Sequence, residues 1–360
     1  MALALIVGAF VALLLLSRCG GCRRTSSETP KEVASETKNV ERVMGNGVYH
    51  WKTVFDPTEE EWEMMKRHNV KKMCVRMFDV VHDEYTNNPD YDIVPVATTK
   101  FKQKPIEGVS IVPCVYITTE AVRVRQVLPE TIGGFAELIV TRILNMMDYN
   151  ELGEVKEIQY DCDWTESTRY AFFALCEKTK DILERKGIAF GVTIRLHQLS
   201  QECPPAHYGV LMLYNTGGVK SPNTRNSILA YSDVKPYLRD CKYSLPLDFA
   251  YPAFSWNVWF RNNEFQALIS EADVMNTKLY KNIGDNKYEV IEDHYCKGQE
   301  LKKGDVLRNE KVNVNEVVKV KKATEKALKQ SEYSVMLYHL SSKDIKNMTE
   351  DEINSIYKMD

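Results

Sequence analysis

The sequence predicts an α/β fold, a (β/α)8 barrel of the TIM type with a small β insertion between its seventh and eighth strands. Three observations predict it. Short apolar or β-branched runs alternate with amphipathic helical stretches, as in βα units that feed a parallel sheet. Eight such runs occur along the chain. No glycine-rich phosphate loop follows the first of them, which ranks an open doubly wound sheet second.

The first strand is expected over 47–55 (GVYHWKTVF), followed by a helix that Asp56 or Thr58 caps, with Glu59, Glu60 and Glu61 at its positive end. The second spans 70–80 and the third 109–117, and helical spacing through Phe135, Leu138, Ile139, Ile143 and Met146 then marks 129–147. The fourth strand is 157–164, with a helix after it over 166–186. Strands follow at 189–196, 210–215, 245–254 and 334–340, and a helix over 344–357 closes the chain. Residues 88–104, rich in proline and polar residues, read as a long loop. Two alternating segments within 286–312 break the βα rhythm and form the insertion, ahead of a helix over 315–329.

Composition narrows the class. The chain has 360 residues, 44% hydrophobic and 27% charged, enough for one large domain. A formal charge of -3 gives no positive field to attract nucleic acid, and no nucleic-acid partner is expected. The apolar run 2–16 falls short of the ~20 residues a bilayer span needs and fits a secretory leader; its tail resembles a bacterial lipoprotein signal, which implies Cys19 or Cys22 as the lipidation site. Cys19 follows Leu16 and Ser17 but has Arg18 beside it; Cys22 follows two glycines without an aliphatic residue three before. Residues 1–22 are thus expected to be a signal segment, 23–42 a polar tether and 43–360 the barrel. The expected location is the bacterial envelope, at the outer membrane, held by the N-terminal lipid. The other cysteines are scattered, with no metal spacing, and neither a metal nor a cofactor is expected.

The chemistry centres on IQYDCDWT at 158–165. Alternate residues of a strand share a face, so Gln159, Asp161 and Asp163 point one way and Tyr160, Cys162 and Trp164 the other. Polar residues at strand ends converge at the C-terminal mouth of such a barrel. The candidates are Arg76 and Asp79, then Gln159, Asp161 and Asp163, then Arg195 and His197, Tyr214 and Asn215, Asp248 and Tyr251, and Tyr338 and His339. Trp256 and Trp259 add stacking surfaces. Acids, cationic donors and aromatic plates together suit a carbohydrate ligand, with Asp161, Asp163 and Asp248 as the catalytic carboxylates if sugar is cleaved. The same residues fit a plainer arrangement, in which Asp161 and Asp163 pair with Arg76 and Arg195 in an ion network and the aromatic residues pack. The run FDVVHDE, with Asp79, His82, Asp83 and Glu84, carries donors for a divalent ion, but helix capping and a solvated face account for them better.

DCDW at the end of the fourth strand resembles the DxDxE signature of chitinase-type glycoside hydrolases, and LMLYN resembles their M-x-Y-D segment. The resemblance implies that Asp163 orients the substrate, Asp161 supports it and Tyr214 holds an acetamide oxygen. The position of the acid falls on Thr165, and Asn215 likewise replaces an acid. Threonine has no proton to give near neutral pH, so the resemblance implies binding more strongly than hydrolysis. The segments VRMFDV, IQYDCDWTESTRY, TIRLHQ, LMLYNTG, NSIL and LPLDFAYPAFSW also resemble a group of Bacteroidota lipoproteins with this barrel pattern. That likeness implies fold and location without an activity. Two functions follow: a glycosidase-like barrel that binds carbohydrate at its mouth, or a catalytically silent surface lipoprotein that holds a glycan or protein. The insertion is a further candidate surface for an envelope protein.

Overall fold

The computed structural model describes residues 40–86 and 92–358. The expected signal segment, most of the tether, and both Cys19 and Cys22 lie outside the described residues. Eight strands form the barrel: β1 Asn46–His50, β2 Val70–His82, β3 Ser110–Ile117, β4 Glu157–Asp161, β5 Ala189–Ile194, β6 Tyr208–Met212, β7 Leu247–Pro252 and β8 Val335–Tyr338. Each pairs in parallel with its neighbours, and β1 closes the circle by pairing with both β2 and β8. The barrel predicted from alternation is therefore present and closed.

Helices cover the outside. α1 (Glu59–Arg67) starts at Thr58, whose side chain accepts from the Glu61 amide while Glu61 reaches back to the Thr58 amide. Among the later helices, α2 (Thr119–Val127) was not expected from spacing, whereas α3 (Ile132–Tyr149) and α4 (Arg169–Glu184) fall where apolar residues recur at helical intervals. Their apolar faces pack on the outward residues of the strands, such as Val75, Ile158, Tyr160 and Val192. Inside the barrel lies a separate set that includes Tyr49, Cys74, Cys114, Val210, Met212 and Ala250. Gly191 belongs to this inward layer because the Tyr208 ring fills its space: a Cβ there would come within 2.4 Å of that ring.

Three elements differ from expectation. The first strand stops at His50 rather than 55, with Val54–Phe55 pairing instead to Lys100–Phe101. Within the stretch read as a loop, Ile93–Val96 forms an antiparallel strand against Asp79 to His82 of β2. The insertion is larger than 286–312. Strands at Ser255–Arg261, Glu264–Ile269, Tyr280–Gly284, Lys287–Val290 and Val306–Lys311 form one five-stranded sheet with its own core around Trp259, Val290 and Leu307. Its first strand begins at Ser255, shortly after β7 ends at Pro252, so the expected strand 245–254 runs up to the edge of the insertion.

The N-terminal pole of the barrel is closed by charge. Lys72 of β2, Glu157 of β4 and Asp248 of β7 are fully buried together, and Arg42 enters from the segment before β1. Lys72 Nζ lies 3.2 Å from Asp248 and 3.5 Å from Glu157, and Arg42 Nη2 lies 2.5 Å from Asp248. Burial opposes the charge on Lys72, but Asp248 and Glu157 outweigh it and hold its pKa above the ordinary lysine value. The Arg42 guanidinium also sits 3.6 Å over the Tyr208 ring.

Candidate functional site

At the opposite, C-terminal pole, β4 ends as its alternation requires. Glu157, Gln159 and Asp161 point inward, while Ile158, Tyr160 and Cys162 pack outward among the helices. Gln159 lies a layer below the mouth, where its Oε1 accepts from the Tyr49 hydroxyl at 2.8 Å and from the Cys114 thiol at 3.3 Å. Asp161 and Asp163 stand above it and share one cation. Arg195, just past β5, donates Nη2 to Asp161 Oδ1 at 2.9 Å and Nε to Asp163 Oδ1 at 2.6 Å. The Thr193 hydroxyl donates to the same Asp161 oxygen at 2.6 Å. Burial works against the Arg195 charge, yet Asp161, Tyr214 and Asp163 raise its pKa beyond the ordinary arginine value. Asp161 is nearly buried, whereas the Asp163 side chain is 53% exposed.

A second ion pair flanks this one. Arg76 and Asp79 are three residues apart on β2, a spacing that would put them on opposite faces of a regular strand. The register shifts between Arg76 and Phe78, and this bulge brings both side chains to one face. Arg76 Nε donates to Asp79 Oδ1 at 2.6 Å, and its Nη2 contacts the other oxygen.

Aromatic rings complete the mouth. Tyr214, after β6, stacks on Tyr338 of β8 with centroids 4.4 Å apart and planes at 17°. Tyr338 reaches Tyr49 at 5.6 Å and Trp51 at 6.1 Å, and the Arg76 guanidinium lies 6.0 Å from the Trp51 ring. Phe254 meets both tyrosines edge-on at 6.0 Å. Tyr116 of β3 lies beside Asp161 in register; burial first, then Asp163 and Asp161, push its pKa up to about 12. Sequence reasoning misses Tyr116, Trp51 and Thr193. For Tyr116 and Thr193 a signal exists, since each has the inward parity of Cys114 or Gly191. For Trp51 it is hidden, because the run 47–55 reads as one strand and the chain leaves it at His50.

Several expected residues are not in the cluster. Asp248 is the second residue of β7 and lies at the N-terminal pole, paired with Lys72 and Arg42 and accepting from the Ser334 amide at 2.8 Å. It does not face Asp163 across the mouth. Tyr251 has the opposite parity to Asp248 and Ala250 and is buried in the outer core. His197 sits exposed on the 3-10 turn Leu196–Ser200, and Asn215 is exposed with φ 53 in the turn that leaves β6. Trp259 is core of the insertion sheet, its indole donating to Asp305 at 2.9 Å. Trp256 is half-buried, packed 5.0 Å from Phe254 at the margin of the aromatic group. His339 lies next to Phe254, its pKa lowered by burial.

The acid position is also filled plainly. Thr165 exchanges a 2.9 Å hydrogen bond with Ser167, and Glu166 pairs with Arg169 at 3.2 Å in solvent. Within the described cluster, Asp79, Asp161 and Asp163 are each paired to an arginine, and the rings beside them offer faces for stacking contact.

No family model matches the sequence, and no curated protein matches it. Solved structures do match in shape. The C-terminal domain of a proposed chitinase from Desulfitobacterium hafniense superposes with a TM-score of 0.54 at 8% identity, over 88% of this chain and 100% of that one. The group IV chitinase of Ostrinia furnacalis gives 0.50 at 10% identity, over 87% and 98%. These likenesses establish the fold class, a TIM-type barrel shared with these two structures.

Proposed function

We propose that this protein is a carbohydrate-binding barrel of the bacterial envelope that holds its ligand at the C-terminal mouth without cleaving it. The observation that carries the reading is the pairing of Asp161 and Asp163 to the single guanidinium of Arg195, with Thr165 at the acid position. A sugar ring needs an aromatic plate and hydrogen-bonding groups of both kinds, and Trp51, Tyr214 and Tyr338 with the Arg76–Asp79 pair supply them. General-acid cleavage needs a protonated carboxyl group against the glycosidic oxygen. Asp161 and Asp163 instead each engage Arg195, and Thr165 stands where the resemblance puts that carboxyl group.

The N-terminal apolar run and Cys19 or Cys22 support a lipid anchor. Titration calorimetry with soluble chito-, xylo- and cello-oligosaccharides, with reducing ends followed in parallel, tests the reading. Saturable binding that Trp51→Ala weakens, with no sugar released, is the expected result, since the substitution removes the aromatic face on which a sugar ring would lie. Absence of binding across the whole panel would end the carbohydrate reading. Release of reducing ends would restore the glycosidase alternative.

A further inference from the structure

The insertion sends two charged side chains out of its sheet into the long connection that follows β6. Arg308 and Glu310, on the same face of Val306–Lys311, are both fully buried, with Nε and Oε1 2.7 Å apart. Their remaining bonds all go elsewhere. Arg308 Nη1 donates to the Ser221 carbonyl at 2.6 Å and Nη2 to the Val219 carbonyl at 3.0 Å. Glu310 accepts from the Ser227 amide at 2.9 Å, from the Ser227 hydroxyl at 2.5 Å and from the Trp256 indole at 2.6 Å. One pair thus ties the connection 213–230 to two strands of the insertion, one of which carries the tryptophan beside the mouth.

A buried ion pair adds little net stability over apolar residues of the same volume, but it favours one arrangement of the groups around it. What this pair arranges borders the candidate site. The connection begins at Tyr214, and Trp256 packs on Phe254, which touches both Tyr214 and Tyr338. The connection has no regular structure and is also held by Asn226 Nδ2 on the Lys311 carbonyl and Asn286 Nδ2 on the Arg225 carbonyl; losing the pair loosens it, with a loss of affinity for any ligand that needs it ordered.

We propose that Arg308 and Glu310 are positioning residues of the mouth, holding the post-β6 connection and the Trp256 ring in place before a ligand arrives. The ligand part of this proposal rests on the carbohydrate reading; the ordering of the loop does not. The test combines two variants and two measurements. Arg308→Met/Glu310→Leu removes the pair without leaving an unpaired buried charge, and Ser227→Ala removes one donor to Glu310 while keeping both charges. Backbone hydrogen exchange over 216–228 reports the loop, and titration with the same oligosaccharides reports the mouth.

In the double variant, exchange at Gly217 and Ser227 is expected to accelerate about tenfold or more while the barrel helices keep their protection, as loss of charge-assisted bonds implies. Affinity for the bound oligosaccharide should fall with it. Ser227→Ala should move both readouts in the same direction by less. A folded double variant with wild-type exchange and wild-type affinity overturns the proposal; should the double variant not fold, unchanged exchange at Gly217 in Ser227→Ala overturns it. If wild type binds none of the oligosaccharides, the carbohydrate reading fails, and faster exchange in the variants still supports the positioning role.

Discussion

Asp248→Asn separates the two poles of the barrel. The native carboxylate accepts from Arg42 at 2.5 Å, Lys72 at 3.2 Å and the Ser334 amide at 2.8 Å, and with Glu157 it balances two buried cations. Asparagine keeps the volume and an acceptor for Ser334 but leaves Arg42 and Lys72 against Glu157 alone. Breaking a buried pair in this way costs ~3–5 kcal/mol. Because the Arg42 side chain retains 16% exposure, water relieves part of the imbalance, and the lower end, about 3 kcal/mol, is expected. At roughly 2–4 °C per kcal/mol for a large domain, Tm should drop by about 6–12 °C. The assay pairs thermal unfolding with oligosaccharide titration at a temperature where both proteins are folded. Lower Tm with unchanged affinity is the expected outcome, since the substitution lies at the pole away from the mouth. An unchanged Tm with lost affinity would refute the reasoning and return Asp248 to the site.

Other perturbations read different parts of the molecule. Arg195→Leu strips Asp161 and Asp163 of their shared cation; denaturant unfolding should show a loss of about 2–3 kcal/mol, and binding should disappear, whereas a wild-type Arg195→Lys would contradict the need for a guanidinium fork. His50 is buried and its pKa is pushed down to about 4 by burial, chiefly, with Lys52 adding to the effect. The unfolded chain takes up that proton near pH 6.5 and the folded one only near 4, so stability should decline as pH falls through that window, by about 3 kcal/mol for this group. His50→Phe should flatten that part of the curve, and superimposable curves would count against it. Fatty-acid labelling in a bacterial host should mark the wild-type chain and vanish on substitution of whichever of Cys19 and Cys22 is acylated; label persisting in the double substitution would rule out the anchor.

The contrast between Asp161 and Asp248 shows where sequence reading stops. Both are inward carboxylates on apolar strands, and strand alternation identifies that much in each case. Which pole each occupies depends on where pairing begins: β4 runs Glu157–Asp161 and ends on its aspartate, while β7 starts at Leu247 and leaves Asp248 at the other end. A run read as 245–254 hides that difference. Asp248 and Tyr251 were both candidates, although residues three apart on a regular strand cannot both face inward.

By itself the sequence determined the α/β alternation, the eight strands and the two faces of β4, because these depend on the period of local side-chain patterning, and it narrowed the first helix's cap to Asp56 or Thr58. Tertiary structure alone decided the partners: Arg195 lies 32 residues from Asp163 and closes on it only when β4 and β5 stand side by side. It also decided that Trp259 serves the insertion core and that Trp51 turns toward Tyr338. Charge pairing and ring contact act over a few ångströms in space, and local pattern carries no record of which distant strands the barrel brings within that reach.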